Sequence, residues 1–413
     1  MDTQINAKRL FFASRIALIA TAMTFAIRAN LIGTLGTEFN IPISDMGIVT
    51  GTAFWGFTFS MILGGFLCDY WGMKRLIIIA FTGHILGIIL TLLAKDFWTL
   101  FISTLLIGIA NGMVEAACNP LVTTLYSNNK TEKLNQFHVW FPGGIVIGGV
   151  AAYFISKAGL NWHYQMSLIF IPVIAYGILF LKQQFPVTER VSSGTSSHEM
   201  FKACLKPLFI FMVLCMLFTS ATELGTNQWI VKLLENVGVP SILLLVFING
   251  LMALGRSYAG KIESKISSSG MLLFSAIFSM LGLLLLGNSN GYWSFLSAAI
   301  FAIGICYFWP TMLGFVSEYL PDSGALGLSI ISGTGMLSVS LILPFIGAFY
   351  EKSTQNHLIA EQLSGIENNK AIQIAQISAG SETLMMVAIL PAFLTIAFGI
   401  LYLKRKSLYL KKI

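Results

Sequence analysis

Charge is what this sequence has least of. Only 10% of its 413 residues are Asp, Glu, Lys or Arg, while 56% are hydrophobic. A soluble domain carries roughly 25% charged residues, so this chain cannot cover a surface that faces water, and a bilayer is the solvent its composition fits. Cysteine is scarce as well. The five present (Cys68, Cys118, Cys204, Cys215, Cys306) are odd in number and scattered through helices or their ends, which speaks against a disulfide framework and against a metal site. No metal-ligand cluster, phosphate-cradling glycine loop or nucleophile–base pair stands at a useful spacing. An enzyme is therefore not expected, and neither is a cofactor. A cleavable signal peptide is also not expected, because the first apolar run is too long for a signal core and carries Arg28 near its end.

Long apolar runs are abundant. A bilayer core needs about 20 apolar residues per helix. Twelve such runs lie at roughly 10–34, 46–68, 75–94, 97–126, 137–157, 163–182, 206–232, 240–260, 270–288, 292–318, 326–350 and 383–403. Each must be helical, since lipid offers no partner to loose backbone polar groups. The net charge of +7 is no nucleic-acid signature. With the N-terminus inside, 18 of the 25 Lys and Arg fall in cytoplasmic segments and five in outer loops. The inner set includes Lys8, Arg9, Lys74, Arg75, Lys130, Lys133, Arg256, Lys261, Lys265, Lys404, Arg405 and Lys406. This bias places both termini in the cytoplasm of a cell whose inner membrane holds the chain. A polar, Ser-rich stretch, QQFPVTERVSSGTSSHEM at 183–200, follows the sixth run and reads as a cytoplasmic linker. The expected division is a first six-helix bundle at 1–182, a linker at 183–205 and a second six-helix bundle at 206–413. A second polar stretch, about 351–382, reads as an outer loop with a short surface helix.

Ionisable residues inside membrane helices are expensive and mark function. In VEAACNPLVTTL, Glu115 stands near mid-membrane, Asn119 follows one turn on along the same face, and Pro120 deletes a helical hydrogen bond. Glu115 is either a packing element or a carboxylate that binds substrate or couples a proton. Arg28, with Asn30 nearby in AIRANLIG, either snorkels to the interface or faces a cavity as a partner for Glu115 or a clamp for an anionic group. In ATELGTNQW, Glu223 and Asn227 share a face, with Gln228 and Trp229 following. Amides with an aromatic suit a sugar, and interhelical hydrogen bonding is the plainer alternative. His138, in KLNQFHVWFPGG, can titrate near physiological pH or be a satisfied structural histidine. Tyr307 and Trp309, in CYFWPTM, either line the cavity or pack.

Twelve spans, a middle linker and GFLCDYWGMKR at 65–75 resemble the major facilitator superfamily. The loop after its second helix reads G-x-x-x-D-[RK]-x-G-[RK]-[RK]. Gly65, Asp69, Gly72 and Lys74 match, whereas Tyr70 and Met73 depart from it. The resemblance implies that this loop is a conformational latch, joined by Arg256 in the corresponding GRSYAG of the second half. EAACNPLVTTLY followed by KLNQFH is similar to the fucose–proton symporters and their glucose/galactose relatives, with Glu115, Asn119, Pro120, Leu134 and Asn135 matching. It implies that Glu115 is linked to binding and proton coupling. Those symporters carry an acid in helix 1, where this chain has Arg28. An all-α membrane protein of the major facilitator fold is expected. It would be a monomeric secondary transporter importing a sugar or acidic sugar by proton-coupled alternating access. Sodium coupling, or export of drugs, metabolites or organic anions, is the alternative.

Overall fold

A computed structural model describes residues 5–41, 43–192, 194, 197–239, 241–363 and 367–405. Lys406, one of the basic residues of the tail, lies outside them, as do residues 193, 195 and 196 of the linker. Every regular element among the described residues is a helix. Before the linker stand α1 (Ala7–Glu38), α2 (Ile43–Trp71), α3 (Met73–Leu92), α4 (Phe97–Leu125), α5 (Lys130–His138), α6 (Trp140–Lys157), α7 (Trp162–Leu168) and α8 (Phe170–Phe180). The linker carries α9 (Glu189–Ser192) and α10 (Ser197–Cys204). After it come α11 (Pro207–Ser220), α12 (Thr226–Leu233), α13 (Ser241–Ser257), α14 (Ala259–Gly287) and α15 (Trp293–Ile305). The chain continues with α16 (Phe308–Tyr319), α17 (Gly324–Leu363), α18 (Asn368–Val387) and α19 (Ile389–Leu403).

These combine into 11 membrane-length apolar stretches, and Leu243–Ser257 is a twelfth, shorter apolar helix. The twelve apolar runs of the sequence are thus twelve helices. The eighth, α13, carries Arg256 in its last turn. The polar stretch at 351–382 is not a loop with a small helix. It extends α17 and α18, which Glu382 ties together by accepting from the Ser353 hydroxyl and pairing with His357 at 3.1 Å.

By contacts the chain forms two compact units, one of Met1–Leu214 with Pro310–Leu337, the other of Cys215–Trp309 with Ser338–Ile413. In the first, α4 is the central element, buried from Ala110 through Thr123. Small residues bring it against α2. A Cβ on Gly112 would lie 2.5 Å from the Phe57 carbonyl oxygen, and one on Gly108 would lie 2.3 Å from that of Ala53. Close backbone approach through small residues four apart is how apolar helices gain contact in lipid, where no hydrophobic drive operates. The helix starts on a capping box. The Thr99 N–H donates to Asp96 Oδ1 at 2.8 Å, and the Asp96 N–H donates to Thr99 Oγ1 at 3.2 Å. The backbone bond from Thr99 holds the Asp96 carboxyl below its usual range. A depressed carboxylate stabilises the fold above its unfolded value, roughly 3.9, and that stabilisation is lost as pH falls through the folded value. The first turn of α4 is therefore expected to exchange its amides faster at pH 3 than at pH 6, relative to the helix centre. Asp96→Asn should remove that difference, and hydrogen exchange read by mass spectrometry checks it.

The second unit is punctuated. A π-helical turn, Ala221–Gly225, interrupts the passage from α11 to α12, and Cys306 and Tyr307 break the helix between α15 and α16. Inside α14, Ser267 leaves helical geometry at φ 65°. Irregular backbone in a membrane is tolerated where protein surrounds it or where it lines a cavity, and π-turns concentrate at functional sites.

Candidate functional site

In the first unit the polar side chains of the spanning helices form a buried series. Glu115 (2% exposed), Asn119 and His138 are all buried. The Asn119 amide nitrogen donates to Glu115 Oε2 at 3.3 Å, and its oxygen meets His138 Nε2 at 3.1 Å. With the amide oriented that way, His138 Nε2 carries the hydrogen, so carboxylate and imidazole are linked through one amide. The geometry of the opening motif follows from its spacing: residues 115 and 119 share a face of α4, and α5 ends at His138 beside them.

One turn before Glu115 on α4 begins a second chain that the sequence reading missed. Asn111 Oδ1 meets His84 Nε2 at 2.8 Å, and His84 Nδ1 meets the Tyr176 hydroxyl at 2.9 Å. The Asn111 amide nitrogen donates to Thr24 Oγ1 at 2.9 Å, whose hydroxyl donates to the Thr21 carbonyl at 2.6 Å. The donors run one way, from Tyr176 through His84, Asn111 and Thr24 to Thr21, and this direction fits a neutral imidazole protonated on Nε2. The chain fastens α1, α3, α4 and α8 together. His84 in FTGHILG and Asn111 in IANGM were polar residues inside apolar runs, which was the signal available.

These bonds also fix the relative height of Arg28 and Glu115. The rings of Phe11 and Tyr126 meet at 5.2 Å, and Thr24 bonds Asn111, so α1 and α4 run antiparallel. Arg28 lies four residues beyond Thr24 in one direction and Glu115 four residues beyond Asn111 in the other. At 1.5 Å rise per residue, their Cα atoms stand about 12 Å apart along the axis. Among the described residues they form no ion pair, and both terminal nitrogens of Arg28 are buried without a hydrogen-bond partner. Asn30 is exposed and donates to Gln165 at 2.9 Å.

In the second unit, Glu223 lies in the π-turn and is 2% exposed. Arg256 Nη2 binds its Oε1 at 2.8 Å, and Arg256 Nε donates to the Cys306 carbonyl at 2.7 Å. Glu223 Oε2 has no partner among the described residues. Trp309, which follows the break after Cys306, is buried, and its indole N–H also lacks a partner. The Tyr307 hydroxyl donates to the Gly255 carbonyl at 3.0 Å. Asn227 accepts from Asn249 at 3.4 Å, whereas Gln228 is exposed.

A family model described as Major Facilitator Superfamily matches residues 15–344. The chain belongs to that superfamily. Its family and structural neighbours are transporters, not enzymes, and this chain is a multi-pass membrane protein of that kind. It is 23% identical over 194 residues to a protein named TsgA homolog from Buchnera aphidicola, covering 46% of this chain and 50% of that one. The chain spans about half the length of the curated relatives it matches. In fold it is similar to a bacterial homolog of the human lysosomal transporter Spinster, at TM-score 0.70 and 15% identity over 98% of each chain. It is also similar to the E. coli fucose:proton symporter, at TM-score 0.64 and 16% identity over 93% of this chain and 99% of that one.

The superfamily's loop motif is placed as follows. Asp69 accepts from the linker residue Thr188, which is buried. Gly72 adopts φ +79° between α2 and α3, and Lys74 is exposed. Gly65 faces α17, where a Cβ would lie 2.3 Å from Ser329 Cβ, so only glycine lets these two helices meet there. Arg256 corrects the expectation. It is not a loop cation but a residue of α13, 1% exposed and bound to Glu223. A guanidinium one residue before the end of α13 was counted with the loop, yet its long side chain reaches back along the helix to a buried acid.

Proposed function

We propose that this member of the superfamily is a secondary transporter importing a small polar solute, a sugar or sugar derivative, together with a proton. It would work as a monomer in the inner membrane with both termini in the cytoplasm. The single observation that carries the reading is Glu115, a carboxylate buried within a spanning helix and linked through Asn119 to His138. A buried carboxylate in contact with neutral hydrogen-bonding groups can exist in both protonation states, which is what coupling to a proton requires. Within the second unit, Glu223 Oε2 and the Trp309 indole N–H, unpartnered among the described residues, offer an acceptor and a donor suited to hydroxyl groups. Similarity in fold to a fucose:proton symporter agrees with this and does not by itself name a cargo.

The test is uptake into liposomes holding the purified protein, with neutral hexoses and hexuronates offered under an inward proton gradient, an inward sodium gradient, or neither. Accumulation of one sugar under the proton gradient alone is expected. Accumulation under the sodium gradient alone would replace the coupling ion, and proton-driven efflux would reverse the direction.

A further inference from the structure

Arg28 is a cation in a spanning segment with both of its terminal nitrogens buried and unpartnered. The segment that carries it, Ala7–Leu31, is the first membrane-length stretch. A buried charge is retained only where something neutralises it, because desolvation otherwise exceeds any gain. Glu115, the acid of α4, is not its partner, since neither terminal nitrogen of Arg28 has one among the described residues. Nor does Arg28 snorkel, for a snorkelling guanidinium places its nitrogens in water and these are shielded from it. Its planar fork, with parallel N–H groups on both terminal nitrogens, matches a carboxylate in two-point contact.

On α1, Arg28 lies one turn from Thr24, on the side that meets Asn111 of α4. The opposite side of that helix is already occupied. There Ala26 and Met23 would meet a Cβ on Gly148 at 3.3 Å, and Ala22 would meet one on Gly144 at 2.7 Å. The guanidinium therefore belongs to the same face of the bundle as Asn111 and Glu115, on which the proposed function rests.

We infer that Arg28 is the recognition site for a carboxylate on the transported solute, so that the cargo is a sugar-sized acid and not a neutral sugar. This deepens the proposed function and rests on its assignment of the polar face of the first unit to the transport path. An anionic end sits at Arg28, and the hydroxyl-bearing end extends along the helix axes toward the level of Glu115.

Two measurements on the purified full-length protein test this. The first is thermal unfolding with glucuronate, galacturonate, glucose or sodium chloride at matched ionic strength, for the wild type, Arg28→Gln, Arg28→Lys and Arg28→Met. A hexuronate is expected to raise the unfolding temperature of the wild type, with glucose and chloride at least tenfold weaker. Arg28→Gln should weaken hexuronate binding about a hundredfold, as loss of two charge-assisted hydrogen bonds implies. Arg28→Lys, which keeps the charge and loses the fork, should fall between. Arg28→Met should unfold at a higher temperature than the wild type without ligand, because it relieves an uncompensated charge, a result that a structural arginine would not give. No stabilisation by either hexuronate, or equal stabilisation of wild type and Arg28→Gln, overturns the inference, as does a ligand-free Arg28→Met less stable than the wild type.

The second measurement is uptake in liposomes by the same variants. Equal proton-driven glucose uptake by wild type and Arg28→Gln, with no competition from glucuronate, sinks the carboxylate site and leaves proton symport standing. Arg28-dependent hexuronate uptake that ignores the proton gradient keeps the carboxylate site and removes proton symport.

Discussion

Glu115→Gln is expected to abolish gradient-driven uptake while sparing exchange. Gln keeps the shape of Glu and retains an oxygen to accept the Asn119 amide, which donates to Glu115 Oε2 at 3.3 Å in the native protein. It cannot titrate, so every step that depends on loading or releasing a proton stops, whereas reorientation of the loaded carrier does not. Concentrative uptake should fall about a hundredfold or more, the usual scale for removing a positioned proton-transfer group. Counterflow between equal solute pools, which moves no net proton, should stay within a few-fold of the wild type. His138→Gln preserves a donor to Asn119 and should shift the pH profile of uptake without abolishing it. Concentrative uptake by Glu115→Gln at the native rate would remove Glu115 from the coupling.

Arg256→Met is expected to be among the most damaging single substitutions in the chain. It leaves the Glu223 carboxylate buried, with Oε1 stripped of its 2.8 Å partner and Oε2 already without one. Removing one member of a buried pair costs about 3–5 kcal/mol, because an uncompensated charge remains. Most of this should return in the double variant Arg256→Met/Glu223→Gln, since replacing both members by neutral groups of similar size is often close to neutral. Thermal unfolding of the four proteins in detergent closes the cycle. Equal losses in the single and the double variant would mean that Arg256 acts through packing and its bond to the Cys306 carbonyl, not through Glu223. If the double variant folds as the wild type does and no longer transports, the pair belongs to the transport site and not merely to the fold.

The membrane character of the chain was legible because it follows from composition, and the helix positions because lipid leaves a spanning chain few alternatives. Glu115, Asn119 and His138 were legible for a local reason: four-residue spacing on one helix and a histidine just past the next turn. The other misses have a common cause. His84, Asn111 and Tyr176 are 27 and 92 residues apart along the chain, and their bonds exist only once α3, α4 and α8 are side by side. Each looked like a lone polar residue in an apolar run. Arg256 failed in the opposite way. Counting cations by their distance from an apolar run assigns them to a loop, yet an arginine near a helix end can reach back to a buried acid. The π-turn holding Glu223 has no sequence signature beyond small residues around an acid.

The one-way chain from Tyr176 to Thr21 acts as a spacer gauge. It staples the helix bearing Arg28 to the helix bearing Glu115 at a set offset, and no link can slide without leaving a donor or acceptor bare in lipid-depth surroundings. While these bonds hold, α1 and α4 keep one offset, and Arg28 and Glu115 ride on them as a single body.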